Sequence, residues 1–595
     1  MTSLDTQVVV VGGGVTGVAV LRDLALRGVG AVLVERSDLG TGTSGRWHGL
    51  LHSGGRYAVR DEESARECIE ENMVLRRIAP HTIEDLGGLF VLLPADDPSY
   101  AERFVAGCTA SGIPVEELSP AQARRREPLL TNGIEAAYAV PDGGIDSWSL
   151  IRSMVADAEA HGACVLPRHP VVGFERDGDR LAAVRVRDQA GGEERLIGCE
   201  WVVNAAGAWA GRVGALAGVP IEMIPGKGVM VVMASRYVRG VVNACRKPAD
   251  GDIVVPQHEV AILGTTSVQV EDPDDVTVDP AEVDRMIDMC AQMVPSLSGG
   301  RVLRAFAGSR PLYKPPQQAG ETSGDTRAVS RTFTVLDHAE RDGLANLFSI
   351  VGGKLTTCRQ MAEKLVDQLG ERMGVEVPCS TAEQVLPGAE HGSHRLAGPL
   401  AAVEQEQDYG TLLCECELVT TERVREAVAG GLVELEDLRR KLRLGFGPCQ
   451  AAFCAWRAAA VVCELGGSGG LESEAGAQVA GGHAEPSGSP PVDQGGGPER
   501  DLLGGLARFL QERWRGQLAC VWGDQARQAL LNHAIYRGIF DLDAEHQDEA
   551  SAWGSGGLDW GQHPRDDPGA DSLQQAGHAA VGHEPVGDGD GRGEE

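Results

Sequence analysis

The chain has 595 residues, 42% of them hydrophobic, and a formal net charge of -32 from 86 acidic against 54 basic residues. That length allows about two to four domains, and the acidic excess disfavours nucleic acid as a partner and suits a protein kept soluble at high salt, which indicates a halophilic source. The 14 cysteines are too few for a disulfide scaffold, and no apolar run approaches the roughly 18 residues of a membrane-spanning helix. We therefore expect a cytoplasmic protein without a signal peptide, whose contact with a membrane is indirect.

The first motif lies at the N-terminus, where the apolar run 8–11 meets a glycine-rich turn that opens a helical segment. A strand that ends in G-x-G-x-x-G brings backbone N–H groups and a helix N-terminus up to a pyrophosphate. Gly12 allows the tight turn, Gly14 the close approach of the phosphate, and Gly17 the contact of helix with strand. Glu35 follows the second apolar run and can accept a hydrogen bond from a ribose hydroxyl. The pattern predicts a dinucleotide-binding domain.

The composition of the loop 41–57 favours a flavin over a nicotinamide as the bound cofactor. It is rich in small and hydroxylic residues, including Thr43 and Ser44, and it ends in His, Arg and Tyr, which suits the lining of a buried planar cofactor. It resembles the second fingerprint of FAD-dependent dehydrogenases of the D-amino-acid-oxidase-like superfamily. Segments 202–209 and 352–357 are similar to the later FAD-binding segments of that superfamily. In them the resemblance assigns the cofactor contacts to Gly207, Gly352, Gly353, Leu355 and Thr356.

This resemblance implies an α/β fold in which a Rossmann-like FAD-binding domain carries an inserted α+β substrate domain. We expect the FAD-dependent body to cover residues 1–385, with the substrate domain at approximately 90–145 and 215–325. A polar linker over 386–410 leads out of the body.

Four cysteines beyond the linker form a C-x-C and a C-x4-C pair: Cys414, Cys416, Cys449 and Cys454. Four thiolates on two short turns can hold a metal centre, and the following apolar helix would help to keep them ionised. The pattern is similar to the [2Fe-2S] domain of the bacterioferritin-associated ferredoxin type. We therefore expect a small helical [2Fe-2S] domain over 411–465, with zinc or four unligated thiols as alternatives.

The C-terminal part changes composition twice. Residues 466–500 are rich in Gly, Ser and Pro and predict a flexible insertion. Aromatic residues within 501–542 predict a packed helical segment. Residues 543–595 are acidic and glycine-rich, with too few apolar residues to fold, and predict a disordered tail.

To residue 542 the chain resembles the large catalytic subunit of anaerobic glycerol-3-phosphate dehydrogenase, and with the acidic composition this indicates a haloarchaeal member. The matching segments are 49–57, 245–248, 262–267, 308–312, 329–331, 336–344 and 352–357. The resemblance implies that four basic residues approach the substrate: Arg56, Arg310, Arg331 and Lys354. It also implies oxidation of sn-glycerol 3-phosphate to dihydroxyacetone phosphate, with electrons passing from FAD through the cluster and partner subunits to a membrane quinone. The protein would then associate with the inner face of the cell membrane through those partners.

The chemistry adds three candidates to this set. Oxidation of a secondary alcohol by a flavin requires a base for the hydroxyl proton, and His52 suits that role, although it could instead be a hydrogen-bonded neighbour of the flavin. Tyr57 and Thr266 could bond substrate oxygens, or serve only in packing. For the phosphate anchors Arg310 and Arg331 the alternative is surface ion pairing, and for His48 we expect a structural role.

Two other functions remain open. A dehydrogenase of the same superfamily could act on an amino acid or a 2-hydroxy acid, for which a single carboxylate-binding arginine would suffice. A non-catalytic flavin and iron–sulfur redox module would not need the basic cluster.

Overall fold

The computed structural model describes residues 4–189, 191–313, 326–329, 331–405, 411–432, 434–466 and 502–521, with isolated positions between 527 and 538. The expected flexible insertion and disordered tail fall almost entirely outside these residues. Residues 1–520 form one compact unit, and the second unit, 521–595, is described only at residue 521 and at the isolated positions. Within the described residues, no helix combines the length and the apolar character needed to cross a bilayer.

The described strands are β1 Leu4–Val11, β2 Ala31–Val34, β3 Leu50–Leu51, β4 Ile83–Glu84, β5 Gly88–Leu92, β6 Glu116–Leu118, β7 Ala136–Val140, β8 Gly143–Ile145, β9 Cys164–Leu166, β10 Val171–Asp177, β11 Arg180–Arg187, β12 Glu194–Asn204, β13 Met223–Met233, β14 Val241–Ala244, β15 Ile253–Gln257, β16 Val260–Gly264, β17 Val268–Gln269, β18 Val302–Tyr313, β19 Phe333–Asp337, β20 Leu347–Gly352, β21 Leu412–Cys414 and β22 Val419–Thr420.

The described helices are α1 Val15–Leu26, α2 Glu62–Ile78, α3 Pro98–Ala110, α4 Pro120–Arg126, α5 Ser147–Ala160, α6 Ala210–Leu216, α7 Pro280–Ala291, α8 His338–Asp342, α9 Cys358–Met373, α10 Ala397–Gln405, α11 Thr421–Ala429, α12 Leu435–Leu442, α13 Cys454–Gly466 and α14 Leu502–Leu518.

The first sheet has a parallel centre. Its strands run in the order β10-β11-β12-β1-β2-β9, and β20 also pairs with β12 while β19 pairs with β20. The pairs of β1 with β2 and β12, of β2 with β9 and of β12 with β20 are parallel. Continuous apolar runs such as 8–11 suit strands that are buried on both faces, and α1, α5 and α9 share a core with this sheet. The carboxyl ends of β1, β2, β12 and β20 therefore meet at one edge.

The second sheet is mostly antiparallel and contains residues from two stretches of the chain. Its order is β17-β13-β16-β15-β14-β5-β7-β6, with β18 along the other edge of β13. Helix α7 supplies Val283, Met286 and Ile287 to the core on this sheet. This α+β layer, inserted into the parallel α/β domain, confirms the predicted fold class.

A small sheet, β3-β8-β4, holds the loop 41–57 between the two large sheets. Leu50 pairs with Gly144 and Leu51 with Gly143. The carbonyl of Gly49 accepts hydrogen bonds from the Ile145 N–H at 2.8 Å and from the Gln257 side chain at 3.1 Å. The loop is therefore fixed to both domains of the body.

The C-terminal elements of the compact unit form a small domain, which we call the cysteine domain (the described residues of 411–466). It consists of the hairpin β21–β22 and helices α11, α12 and α13. Helix α14 contacts α12 and α13 and also β18 of the second sheet. The cysteine domain thus lies against the body on one side and against α14 on another.

Candidate active site and cysteine centre

The glycine turn after β1 has the conformation that the sequence predicts. Gly12 has a φ of 114°, and a side chain there would meet the Ala205 carbonyl at 2.7 Å. A side chain at Gly17 would overlap the carbonyl of Gly12, so α1 can approach β1 only through a glycine. Gly14 is the N-cap of α1, where a small residue leaves the helix N-terminus open to an anion.

A cavity of about 490 Å³ lies where the strand ends meet the loop 41–57. Most of the predicted site residues line it: Gly12, Gly14, Glu35, Thr43, Ser44, His52, Tyr57, Gly207, Arg310, Arg331, Gly352, Gly353, Lys354, Leu355 and Thr356. Gly17, Arg56 and Thr266 are not among its lining residues. The two glycine segments and the loop thus share one cavity with the predicted substrate residues.

Glu35 is held beside the glycine turn by backbone donors. One carboxylate oxygen accepts from the Gly13 N–H at 2.6 Å and the other from the Ser37 N–H at 2.9 Å. Ser44 approaches the same turn from the loop, and its hydroxyl accepts from the Val15 N–H at 3.0 Å. The carboxylate and the open helix N-terminus lie at the same end of the cavity, as the recognition of an adenosine ribose and a pyrophosphate requires.

Arg310 carries a positive charge into the cavity without a carboxylate partner among the described residues. One guanidinium nitrogen donates to the Thr265 hydroxyl at 2.6 Å and to the Thr266 carbonyl at 2.9 Å. The other donates to the carbonyls of Gly226 and Lys227 at 3.3 Å. Burial, followed by the nearby charge of Arg331, lowers the pKa of Arg310 to about 9. A cation held only by neutral acceptors is suited to bind an anionic ligand.

Lys354 is a second cation of the cavity wall, and it is partly neutralised. Its ammonium nitrogen lies 3.4 Å from a carboxylate oxygen of Glu67 and 3.2 Å from the Arg331 carbonyl. It also lies 5.2 Å from the ring centroid of Tyr57. Lys354 therefore connects the glycine segment 352–357 with the aromatic end of the loop.

Arg56 and Thr266 make other contacts. Arg56 donates to the Asn243 side chain at 3.4 Å, and it lies 3.8 Å from a carboxylate oxygen of Asp252. The Thr266 hydroxyl donates to Glu282 at 2.9 Å and accepts from the Val229 N–H at 3.0 Å. Its donor is therefore already used inside the second sheet.

His52 and His48 are neighbouring imidazoles in the cavity wall, with ring centroids 6.3 Å apart. The main chain of His52 is fixed, because its N–H donates to the Thr356 hydroxyl and its carbonyl accepts from Asn72. Burial first, and then the neighbouring His48 ring and the charge of Arg56, lower the pKa of His52 well below 6.5. Burial lowers the pKa of His48 to about 3, and its Nδ1 accepts from the Leu50 N–H. Both rings are neutral at neutral pH and can accept a proton.

The four predicted ligand cysteines come together in the cysteine domain. Their thiols form a chain of hydrogen-bonded contacts in the order Cys416, Cys449, Cys454 and Cys414. Within the described residues, no three His, Cys, Asp or Glu side chains surround one position as a single metal ion requires. Four contacting sulfurs on two turns match the donor set of a [2Fe-2S] cluster.

The surroundings of the thiols favour thiolates on two of them. The hydrogen bond from Cys454 lowers the pKa of Cys449 to about 5 and that of Cys414 to about 7. Backbone N–H groups also hydrogen-bond to these sulfurs, from Gly445 to Cys414 and from Ala451 to Cys449. Ionised, hydrogen-bonded sulfurs are what an iron–sulfur cluster requires of its ligands.

Two family models match the chain and cover both parts of it. Residues 7–368 match the FAD dependent oxidoreductase family, and residues 412–464 match the BFD-like [2Fe-2S] binding domain. A curated relative, the A1 subunit of the anaerobic glycerol-3-phosphate dehydrogenase of Haloferax volcanii, is 40% identical over 568 residues, which is 91% of each chain. The chain belongs to the family of the A subunits of anaerobic glycerol-3-phosphate dehydrogenase.

The A subunit of the Escherichia coli K12 enzyme is 38% identical to this chain and aligns with 92% of it and 99% of the relative. Among solved structures, the glycerol-3-phosphate dehydrogenase from Bacillus halodurans complexed with FAD gives a TM-score of 0.51 at 22% identity, over 78% of this chain and 80% of that one. The L-proline dehydrogenase from P. horikoshii gives 0.51 at 21% identity, over 62% and 94%. Structural likeness at this identity shows the fold alone. The family matches confirm the predicted cofactors, FAD and a [2Fe-2S] cluster.

Sequence reasoning missed several residues of the cavity wall. Thr265, next to the predicted Thr266, contacts Arg310 and lines the cavity. Trp47 and Trp209 line it as well. Residues 265–267 lie between β16 and β17 and belong to no strand, so no periodicity indicates which of the two threonines faces the cavity.

We expect the substitution Gly14→Glu to abolish flavin binding. A carboxylate at the N-cap of α1 would occupy the open helix end and repel the pyrophosphate. The flavin content of the purified variant, measured by visible absorption, should fall to near zero. Gly173→Glu is the control, since a side chain there meets no atom within 4 Å. Full flavin occupancy in Gly14→Glu would contradict this placement of the pyrophosphate.

We expect Cys449→Ser to lose iron and to keep FAD, since a serine hydroxyl does not ionise at neutral pH and replaces one of four thiolate ligands. Iron analysis and the visible spectrum measure the outcome. Cys463→Ser is the matched control, because Cys463 is an exposed thiol on α13 of the same domain. Equal iron in both variants would show that Cys449 is not a ligand.

Proposed function

We propose that this protein oxidises glycerol 3-phosphate to dihydroxyacetone phosphate with FAD and that its cluster passes the electrons to partner subunits. The observation that carries the proposal is Arg310, a cation without a carboxylate partner among the described residues, in the same cavity as the glycine turn and His52. The Escherichia coli relative is named as the A subunit of anaerobic glycerol-3-phosphate dehydrogenase. We extend that activity to this chain.

The cations of the cavity bind the phosphate of the substrate. Arg310 supplies a positive charge that is held by neutral acceptors, and Arg331 and Lys354 line the same cavity. Binding the phosphate at these groups orients the adjoining alcohol towards the neutral imidazole of His52. Tyr57 lies between the two groups, since its ring centroid is 5.5 Å from that of His52 and 5.2 Å from the Lys354 nitrogen.

His52 accepts the hydroxyl proton of the substrate. Its low pKa keeps the imidazole in the unprotonated form that the reaction needs. FAD, held by the glycine turn, Glu35 and segment 352–357, supplies the two-electron acceptor. A substrate with a single carboxylate, such as an amino acid or a 2-hydroxy acid, would leave part of the cationic wall unmatched.

The electrons leave this chain through the cysteine domain. Cys414, Cys416, Cys449 and Cys454 hold the cluster, which carries one electron at a time. We propose that partner subunits receive these electrons and pass them to a membrane quinone. The protein then works at the inner face of the cell membrane through those partners.

Anaerobic bleaching of the flavin by a panel of substrates tests the proposed function. Glycerol 3-phosphate should bleach the visible absorption band of the flavin far faster than buffer, sarcosine, proline or 2-hydroxyglutarate.

Arg310→Ala should need about 10 to 100 times more glycerol 3-phosphate for half-maximal rate, since a hydrogen bond to a charged group contributes about 1.5–3 kcal/mol. Its flavin content should be unchanged. Arg103→Ala, at an exposed ion pair, is the control. No bleaching of the wild-type protein by glycerol 3-phosphate would end the proposal.

His52→Gln should slow flavin reduction by roughly 100-fold or more, because the variant lacks the base for the hydroxyl proton. The concentration of glycerol 3-phosphate at half-maximal rate should change little. His48→Gln is the comparison, since the two rings share the cavity wall. A larger loss of rate in His48→Gln than in His52→Gln would transfer the role of base to His48.

A further inference from the structure

The loop that forms the cavity wall and the loop that carries the cysteines are joined by two aromatic rings. We propose that Trp148, at the start of α5, and Phe446, in the cysteine domain, form the packed connection by which electrons pass from the flavin site to the cluster. This inference rests on the proposed function and adds to it the route within the chain.

On the cavity side, α5 contacts the loop 41–57 directly. The Ser147 hydroxyl donates to the Ser44 carbonyl at 2.6 Å and accepts from the Trp47 indole at 3.3 Å. The Trp148 ring lies so close to Gly45 that a side chain at Gly45 would be 2.9 Å from it. Ser44 and Trp47 both line the cavity. Trp148 therefore packs against the back of the cavity wall.

On the other side, Trp148 meets the cysteine domain. Its ring centroid is 5.2 Å from that of Phe446, at an interplanar angle of 70°, which is a favourable edge-to-face geometry. Gly447 follows Phe446, and a side chain at Gly447 would lie 3.0 Å from the sulfur of Cys416. The contacts thus continue from the cavity wall through the two rings to a cluster ligand.

A buried ion bridge fixes the same two chain segments. The Arg443 guanidinium donates to Asp146 and to Glu417, each at 2.9 Å, and lies 4.9 Å from the ring centroid of Phe446. Asp146 caps α5 immediately before Ser147 and Trp148, and Glu417 follows Cys416. The two carboxylates compensate the buried charge of Arg443. The bridge therefore holds the separation between the cavity wall and the cysteine loop.

The electron balance requires that the two electrons from one alcohol leave the flavin site one at a time. Oxidation of one alcohol releases two electrons, and the cluster accepts one at a time. Each electron then leaves the cluster for a one-electron acceptor outside this chain, a partner subunit in the proposed function, before the next one arrives. Trp148 and Phe446 are neither oxidised nor reduced overall. They fill the space that would otherwise be a void without contacting atoms.

The test measures transfer within the full-length protein loaded with FAD and the cluster. A light pulse with an external photoreductant reduces the flavin, and freeze-quench EPR follows reduction of the cluster. We expect Trp148→Leu and Phe446→Leu to slow cluster reduction several-fold at unchanged flavin and iron content. Phe453→Leu is the matched control, since Phe453 belongs to the same loop but is 58% exposed, and it should transfer at the wild-type rate.

Wild-type transfer rates in both Trp148→Leu and Phe446→Leu would overturn the route. Equal slowing in Phe453→Leu would overturn it as well, and so would a shift of the cluster midpoint potential large enough to account for the slower transfer. Hydrogen exchange at residues 443–450 in iron-depleted protein gives an independent measurement. The exchange rate of these residues should rise in Trp148→Leu. An unchanged rate would count against a stabilising contact between Trp148 and Phe446. Because light reduces the flavin in this test, failure of glycerol 3-phosphate to bleach it would be recorded separately as failure of the proposed function.

Discussion

The parallel pairing of β12 with both β1 and β20 is the constraint on which the site depends. The register sets Val11 opposite Asn204, and Asn204 opposite Ser349. Because the strands are parallel, the turns that follow them come from distant parts of the chain and meet at one sheet edge. The cavity needs all of these turns. A shift in register between β12 and β20 would move the segment 352–357 relative to the glycine turn.

Local motifs were the part of the site that the sequence could predict. Gly12, Gly17 and the cysteine pairs have roles set by backbone geometry or by ligand spacing over a few residues, and these roles can be read without the fold. Thr265 was missed in favour of Thr266, because the choice between adjacent residues depends on which face of the segment meets Arg310. For Arg56, the structure supplies acidic and amide neighbours from the second sheet that no local pattern indicates.

The contacts between domains had no sequence signal at all. Trp148 and Phe446 are ordinary aromatic residues of two segments far apart in the chain, and only the packing of the cysteine domain on α5 makes them neighbours. The same holds for Arg443, whose two carboxylate partners come from both sides of the interface. The fold class and both cofactors followed from motifs and resemblance, while the way in which the two redox sites are joined required the tertiary structure.

In the proposed reaction, the cationic wall of the cavity links substrate binding to proton removal. The positive neighbours of His52 help to lower its pKa, so the same charges that attract a phosphate make the imidazole a weak base. A bound phosphate dianion offsets these charges and raises the pKa of His52 towards its ordinary value. In the proposed reaction, His52 would therefore become a stronger base once the substrate is bound, which would couple proton removal to correct binding.

Arg310 also helps to explain how a strongly acidic protein can bind an anionic ligand. The chain as a whole carries a formal charge of -32, and at low ionic strength that field repels a phosphate ester as it approaches. At about 1 M salt the screening length is roughly 3 Å, so the repulsion by the exposed carboxylates is largely removed. A guanidinium inside the cavity is screened much less, because ions and water reach it poorly. Salt therefore weakens the repulsion outside more than the attraction inside, and an acidic coat remains compatible with a dianionic substrate.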